Sequence, residues 1–266
     1  MPLDEPKILI RGAGEVASAI AHKLTMSNLR VCMTDIPNPV AVSRGVSFCE
    51  AIWDGSIEVA GVTGRLIESP EDIYKTWQAG EVPVLVDPEA RVKESLKPDV
   101  VIDAIMAKKN IGTKITDAPL VIGMGVGFRV GRDVHLIVET NNSENIGKVL
   151  TSGEAEAANL IPVEVCGMTD ERVMRHPDAG VFQSVKHMGD TVKAGDIVGT
   201  INGSPFKAKI DGIVRALLRD GVEIGAMTKL GEVDPRGEKW LCHAIRPRMR
   251  VIAGGALEAI MYKLNK

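Results

Sequence analysis

The residues best suited to chemistry sit near the start of the chain, in Gly12-Ala13-Gly14-Glu15-Val16-Ala17. An apolar run, Lys7-Ile-Leu-Ile-Arg11, precedes them, and a helical pattern follows from Ala17 to Thr25, with Ile20 and Leu24 on one face. Gly12 permits a sharp turn out of a strand. Gly14 lets backbone approach a pyrophosphate, and Ala17 keeps the helix close to the strand. The first N–H groups of such a helix point at an anion. Asp35 ends a second apolar run, Arg30-Val-Cys-Met-Thr34, where a carboxylate would meet a ribose diol. Gly12, Ala13, Gly14, Glu15, Val16 and Asp35 are therefore the first candidate cofactor-binding residues. Glu15 also puts a negative charge beside the expected phosphates.

A second glycine turn, Gly123-Met-Gly125-Val-Gly127-Phe128, follows the apolar run Pro119-Leu-Val-Ile-Gly123. Gly123, Gly125 and Gly127 would lie at the carboxyl edge of a parallel sheet, where open α/β folds bind ligands. They suit an anion, or equally a tight loop. Asp103, Lys108, Lys109 and Asn110 follow another strand end. They suit a phosphate, a partner protein or a solvated loop. Signals for self-contained catalysis are poor. His22, His135, His176, His187 and His243 are dispersed, no Gly-x-Ser-x-Gly or His-x-x-Glu-His pattern occurs, and no metal set is expected.

These candidates need a scaffold. Further apolar runs at Pro83–Asp87, Asp99–Asp103 and Val134–Val138 are β-branched and nearly continuous, as in strands covered on both faces. The expectation is an α/β, Rossmann-like parallel sheet domain over residues 1–162. From residue 163 to 249 turn dipeptides dominate, and Gly189–Ile201 aligns with Gly221–Val233 as an internal repeat. That stretch is expected to be a small all-β module. Leu257, Ile260, Met261 and Leu264 mark a last helix within 250–266 that returns to the first domain. Aromatic residues are only 3% of the chain, so the core must be aliphatic. The net charge of −3 with mixed signs argues against nucleic acid. No apolar run reaches the roughly 20 residues of a membrane span. Met1-Pro-Leu-Asp-Glu-Pro6 lacks a basic, then apolar, leader. A cytoplasmic protein is expected. Cys32, Cys49, Cys166 and Cys242 are far apart and read as reduced thiols.

Taken together, Ile10-Arg-Gly-Ala-Gly14, Thr34-Asp-Ile-Pro-Asn-Pro39, Val86-Asp-Pro88, Asp103 to Asn110, Gly125-Val-Gly-Phe128, Asp133 through Glu139-Thr-Asn141 and Gly231-Glu-Val-Asp-Pro-Arg236 resemble a known family. It is the YqeB-type accessory proteins of selenium-dependent molybdenum hydroxylases, relatives of XdhC-type maturation factors. The chain departs from the family pattern at Ile105, at Val126 and at Asn142-Ser143-Glu144. The resemblance implies a maturation factor that binds a nucleotide or a molybdopterin nucleotide and whose partner is the apo-hydroxylase. It also implies that the β module is a barrel-sandwich hybrid of the biotinyl/lipoyl type. The competing readings are an NAD(P)-dependent oxidoreductase acting on a small molecule and a non-catalytic nucleotide-binding scaffold.

A biotinyl or lipoyl carrier needs a lysine at a hairpin tip. The link between the half-repeats begins Asn202-Gly-Ser-Pro-Phe206 and has none at its centre. The intact mass of the purified chain is expected to show no biotin or lipoate. Either group on Lys207 would overturn this.

Overall fold

The computed structural model describes residues 6–159 and 161–264. Met1–Glu5, Leu160, Asn265–Lys266 and the side chain of Leu264 lie outside it, and with them part of the reading of both chain ends. The described residues divide into two compact units. One comprises the chain up to Pro39, Ser47–Asn159 and the stretch from Ile245 onward. The other comprises Val40–Val46 and the later stretch ending at Ala244. No helix among the described residues is long and apolar enough to cross a membrane.

The first unit is built on nine strands: β1 Lys7–Arg11, β2 Arg30–Asp35, β3 Ser56–Val59, β4 Val62–Leu66, β5 Val82–Val86, β6 Val100–Asp103, β7 Leu120–Met124, β8 Leu136–Val138 and β9 Val149–Leu150. They form one sheet in the order β3-β4-β5-β2-β1-β6-β7-β8-β9. Neighbours from β4 to β8 run parallel, and β1 pairs Ile8 with Val31 on one side and with Val100 on the other. The edge strands β3 and β9 are antiparallel to their neighbours. The helices are α1 Glu15–Thr25, α2 Ala51–Asp54, α3 Ile73–Gln78, α4 Lys93–Leu96 and α5 Pro247–Leu264. Leu9, Cys32, Val101, Val121 and Ile137 pack with Ile73 and Leu96 in one aliphatic layer. Helix α5 lies against α1 and β7–β9. Its close approach needs Gly255, because a Cβ there would sit 2.1 Å from the Gly147 carbonyl oxygen.

This architecture corrects the expected Rossmann-like parallel domain. The described residues as a whole carry more strand than helix, and the sheet of this unit is mixed. The glycine fingerprint specifies one strand–turn–helix and nothing beyond it. The links after β6, β7 and β8 carry no helix. The β3–β4 hairpin turns through Ala60 and Gly61, with φ of 49° and 86°, and adds an antiparallel edge the pattern did not announce.

The second unit holds β10 Val173–Arg175, β11 Gly180–Ser184, β12 Thr191–Val192, β13 Ile197–Ile201, β14 Ser204–Lys207, β15 Gly212–Leu217, β16 Glu223–Ile224 and β17 Lys229–Asp234. They form two four-stranded sheets, β10-β17-β15-β12 and β14-β13-β11-β16, with every pair antiparallel. The repeat positions Val192, Val198, Ile201, Ile224, Leu230 and Val233 all enter one core. The expected barrel-sandwich hybrid is corrected to these two antiparallel sheets. A sequence repeat specifies recurring strands, not the sheet each one joins. The β13–β14 tip is Asn202 and Gly203, with φ of 49° and 83°. The Asn202 side chain accepts from the Val181 N–H at 3.0 Å.

Strand β17 also carries two buried carboxylates. Lys229 and Arg172 flank Glu232. Asp234, 0% exposed, accepts from Arg215 at 3.0 Å and from the Arg236 guanidinium at 2.7 Å. Burial alone would raise the Asp234 pKa. The Arg236 hydrogen bonds and the charges of Arg236 and Arg215 outweigh that and hold it down at about 2. A depressed carboxylate stabilises the fold above its unfolded pKa of about 4, and that contribution fades as pH falls toward 2. Replacing Asp234 by Ala is expected to cost about 3–5 kcal/mol at pH 7, because Arg215 is left buried beside a lost charge. Asp234→Asn should flatten the loss of stability between pH 4 and pH 2. Urea titrations across that range test both, and an unchanged acid limb would refute the assignment.

Candidate functional site

Strands β1, β6, β7 and β8 are mutually parallel, so their carboxyl ends deliver Gly12, Ala104, Gly125 and Glu139 to one edge of the first unit. Most of the candidate residues meet there. Their roles differ from the expectation. Gly12 has φ +95°, and a Cβ on it would lie 2.9 Å from the Ala104 carbonyl oxygen. A Cβ on Gly127 would lie 2.8 Å from the backbone of Lys109. Both glycines make room for the loop 104–113. Gly123 backs onto the Phe128 ring, and Gly125 onto the Thr140 side chain. Gly14 is different. It precedes α1 with φ −72°, and a Cβ there would meet nothing within 4 Å.

The loop 104–113 is held by a buried network. Arg11 donates to the Thr113 hydroxyl and to the Ile111 carbonyl, the latter at 3.0 Å. Thr113 donates to Asp103 at 2.5 Å, and the Asp103 carboxylate also lies 3.5 Å from Arg11. Asn110 closes a ring on the Thr113 backbone with two hydrogen bonds of 2.8 Å. Burial raises the Asp103 pKa above its ordinary value, against the hydrogen bond from Thr113 and the charge of Arg11. Asp103 and Asn110 thus position the loop.

Asp35 is also engaged. It accepts from the Ala13 N–H at 2.7 Å and from the Ile36 N–H at 2.8 Å, and burial raises its pKa. The Ala13 N–H is therefore taken by the protein's own carboxylate. The α1 N–H groups beyond it, from Gly14, Glu15 and Val16 onward, belong to the first turn, which has no intrahelical acceptor.

Sequence reasoning missed the cations at this edge. Arg246 lies 3.0 Å from the Glu15 carboxylate. Arg248 donates to the Thr140 carbonyl, and its Nε is buried without a hydrogen-bond partner. Burial lowers the Arg248 pKa, with Glu15 opposing and Arg246 assisting. Glu15 opens α1 beside Arg246, and further along the same helix His22 feels the charge of Arg250. Arg246 immediately precedes α5, so α1 and α5 begin at the same edge and their positive dipole ends meet there. The only sequence signal was Arg246-Pro-Arg248, a basic pair around a proline suited to the first helical turn.

Glu139 anchors the neighbouring turn. Its buried carboxylate accepts from the N–H groups of Thr140, Asn141 and Glu156, each at 2.7 Å. Among the described residues no group of three or more His, Cys, Asp or Glu is arranged to hold a metal ion. A cavity of about 280 Å³ lies at the opposite edge, beside Arg30, Tyr74 and Trp77. The Trp77 indole N–H donates to the Val31 carbonyl at 2.7 Å, and Arg30 covers its ring at 5.9 Å.

No family model matches the chain. It is 38% identical to the uncharacterized protein YqeB of Escherichia coli K12 over 265 residues, which is 100% of this chain and 49% of that protein. The chain thus spans about half the length of the curated relative it matches. Solved structures give weaker likenesses. An aspartoacylase family protein of Mesorhizobium loti shares 10% identity with a TM-score of 0.26, covering 86% of this chain and 85% of its own. The ectoine utilization protein EutE of Ruegeria pomeroyi shares 12% identity with a TM-score of 0.26, at the same coverage. Scores of that size assign neither fold nor activity.

The two loop glycines should therefore respond oppositely to a side chain. Gly12→Ala forces a Cβ against the Ala104 backbone at positive φ and should cost about 2 kcal/mol or more. Gly14→Ala enters open space and should change stability by less than about 0.5 kcal/mol. Chemical denaturation of both variants checks this, and equal losses would show that Gly14 is as enclosed as Gly12.

Proposed function

We propose, from the likeness of the whole chain to about half of YqeB and from the cationic edge, that this chain binds the phosphate of a nucleotide or molybdopterin-type cofactor. In this reading it serves as an accessory or maturation factor for a selenium-dependent molybdenum hydroxylase. Kinship with XdhC-type factors is part of the same proposal. The observation that carries the binding step is Arg248. A buried guanidinium costs several kcal/mol unless it is paired and hydrogen-bonded. Arg248 is part-buried; it donates to the Thr140 carbonyl, and its buried Nε has no acceptor. The nearby carboxylate, Glu15, already lies against Arg246. An anion arriving between Gly14 and Arg248 would supply the missing charge, and the N-termini of α1 and α5 would favour it further.

The candidate residues then divide the work. Gly14, Glu15 and Val16 present first-turn N–H groups. Asp35 holds Ala13 in place and leaves one lone pair on each oxygen for a sugar hydroxyl. Asp103, Asn110, Gly12, Gly123, Gly125 and Gly127 shape the loops around them. Handling a cofactor for another protein requires binding and release at such an edge, with the client completing the chemistry.

Native mass spectrometry of gently purified protein is expected to show a nucleotide or pterin as added mass. Arg248→Gln should weaken that ligand at least tenfold, about 1.4 kcal/mol, without unfolding the chain. In a host lacking the protein, the hydroxylase should accumulate at normal level but be inactive. Full hydroxylase activity in that host removes the maturation role. Turnover of a small molecule with NAD(P) by the chain alone would replace it with the oxidoreductase reading.

A further inference from the structure

The cavity of about 280 Å³ at the amino edge of the nine-stranded sheet has no part in the anion reading. It lies where α1 ends at Thr25, β2 begins at Arg30, α3 ends at Gln78 and β5 begins at Val82. We propose that it binds an uncharged, planar heteroaromatic ring of the nucleobase class. The chain has only three tryptophans and two tyrosines, and one of each meets here. The Tyr74 and Trp77 rings stand 5.3 Å apart at 80°, so they form a corner. Packing accounts for Trp77, because its ring lies against the aliphatic layer and its N–H is held by the Val31 carbonyl. Tyr74 is 50% exposed, so its ring stands at the surface and not in that layer. A flat ring set in the corner stacks on one wall and meets the other edge-on, and both arrangements are favourable. The Arg30 guanidinium, 5.9 Å from the Trp77 ring centre, adds another planar group on which such rings stack.

The polar groups around the corner suit the edge of such a ring. Asn28 and Gln78 bring exposed side-chain amides, each with a donor and an acceptor side by side. That pairing matches the adjacent donor and acceptor atoms on a nucleobase edge. The Thr25 hydroxyl is buried beside them and has no hydrogen-bond partner. A buried hydroxyl without a partner is unfavourable, and a ligand edge can supply one. Charge selects against ions of either sign. Glu81 lines the cavity, but Arg65 holds its carboxylate through two hydrogen bonds, one of them 2.6 Å. Arg30 repels a cation, and the carbonyl end of α1 repels an anion. The volume falls just below the ~300 Å³ at which pockets for drug-sized ligands begin, so a single ring system fits and a dinucleotide does not. A sugar also packs on tyrosine, but its puckered ring makes little use of two walls at right angles and a flat guanidinium.

The test titrates adenine, cytosine and glucose into the full chain by calorimetry. Wild type is compared with Tyr74→Ala, Tyr74→Leu and Arg248→Gln, and thermal melts confirm folding. The leucine variant keeps apolar bulk on α3 in case alanine disturbs that helix. Adenine or cytosine is expected to bind one to one, and glucose not at all. Both Tyr74 variants should weaken the base by at least about tenfold, the loss expected when a stacking aromatic is removed. Arg248→Gln should move the base by less than about twofold, because it acts at the other edge of the sheet. Base affinity unchanged in the folded Tyr74 variants overturns the inference. So does a base whose affinity falls with Arg248→Gln and not with Tyr74, since it then sits at the carboxyl edge. Glucose binding that depends on Tyr74, with no base bound, replaces the ring site with a saccharide site. A folded wild type that binds neither base removes the ring site and leaves the anion reading standing.

Discussion

Arg11 and Asp103 end adjacent central strands, and the pairing of those strands places both groups at the carboxyl edge. Their shared contact with Thr113 is buried on every side, with the three residues 5%, 3% and 3% exposed. A buried pair of this kind is weak evidence for stability, because desolvation offsets much of the attraction. Its value here is geometric. It brings the far end of the loop 104–113 back to the strand that began it. The near end of that loop lies against Gly12, and its middle against Gly127. With the loop in place both glycine turns are closed by protein backbone, and Gly14 alone stays open.

The other side of the edge has the opposite character. Asp103 is a buried acid with several donors around it, and Asp35 and Glu139 are capped by backbone N–H groups. Arg248 is a part-buried base whose buried Nε has no acceptor. Acids can be satisfied by the backbone of a turn, which is rich in N–H groups. A guanidinium at the start of a helix has no such supply, because the carbonyls there are committed to the helix itself. In the proposed reading this asymmetry is what favours an anion at the edge, and the two helices that begin there add to it.

The second unit solves a different problem. Aromatic residues are scarce, so its two small sheets close on a mainly aliphatic core around Phe182 and Phe206, whose rings lie 5.8 Å apart. The close approach of strands depends on absent side chains. A Cβ on Gly231 would lie 2.4 Å from the Ala216 carbonyl oxygen, and one on Gly212 would lie 2.3 Å from that of Asp234. With the backbones this near, β17 and β15 can share the buried charges of Asp234 and Arg215 across one ladder.

Local patterns in the sequence determined a good deal: a strand at Lys7–Arg11, a turn and helix after it, a second strand ending in Asp35, an aliphatic core, and a repeat whose three matched pairs of apolar positions enter one core. Each depends on residues within about a dozen positions of one another, where periodicity and turn chemistry act directly. The kind of sheet was decided elsewhere. Whether β3 and β9 run antiparallel, and which sheet each repeated strand joins, depends on partners distant in the chain, so the expected Rossmann-like and barrel-sandwich architectures gave way. The candidate site divided along the same line. Glycines mark a backbone that must turn or approach something closely, and the sequence cannot say whether that something is a phosphate or another loop. Only tertiary structure set Ala104 against Gly12 and Lys109 against Gly127. Only it carried Arg248, more than two hundred residues from Gly14, to the same edge, because a lone arginine has no spacing to betray it and acquires a role from what surrounds it.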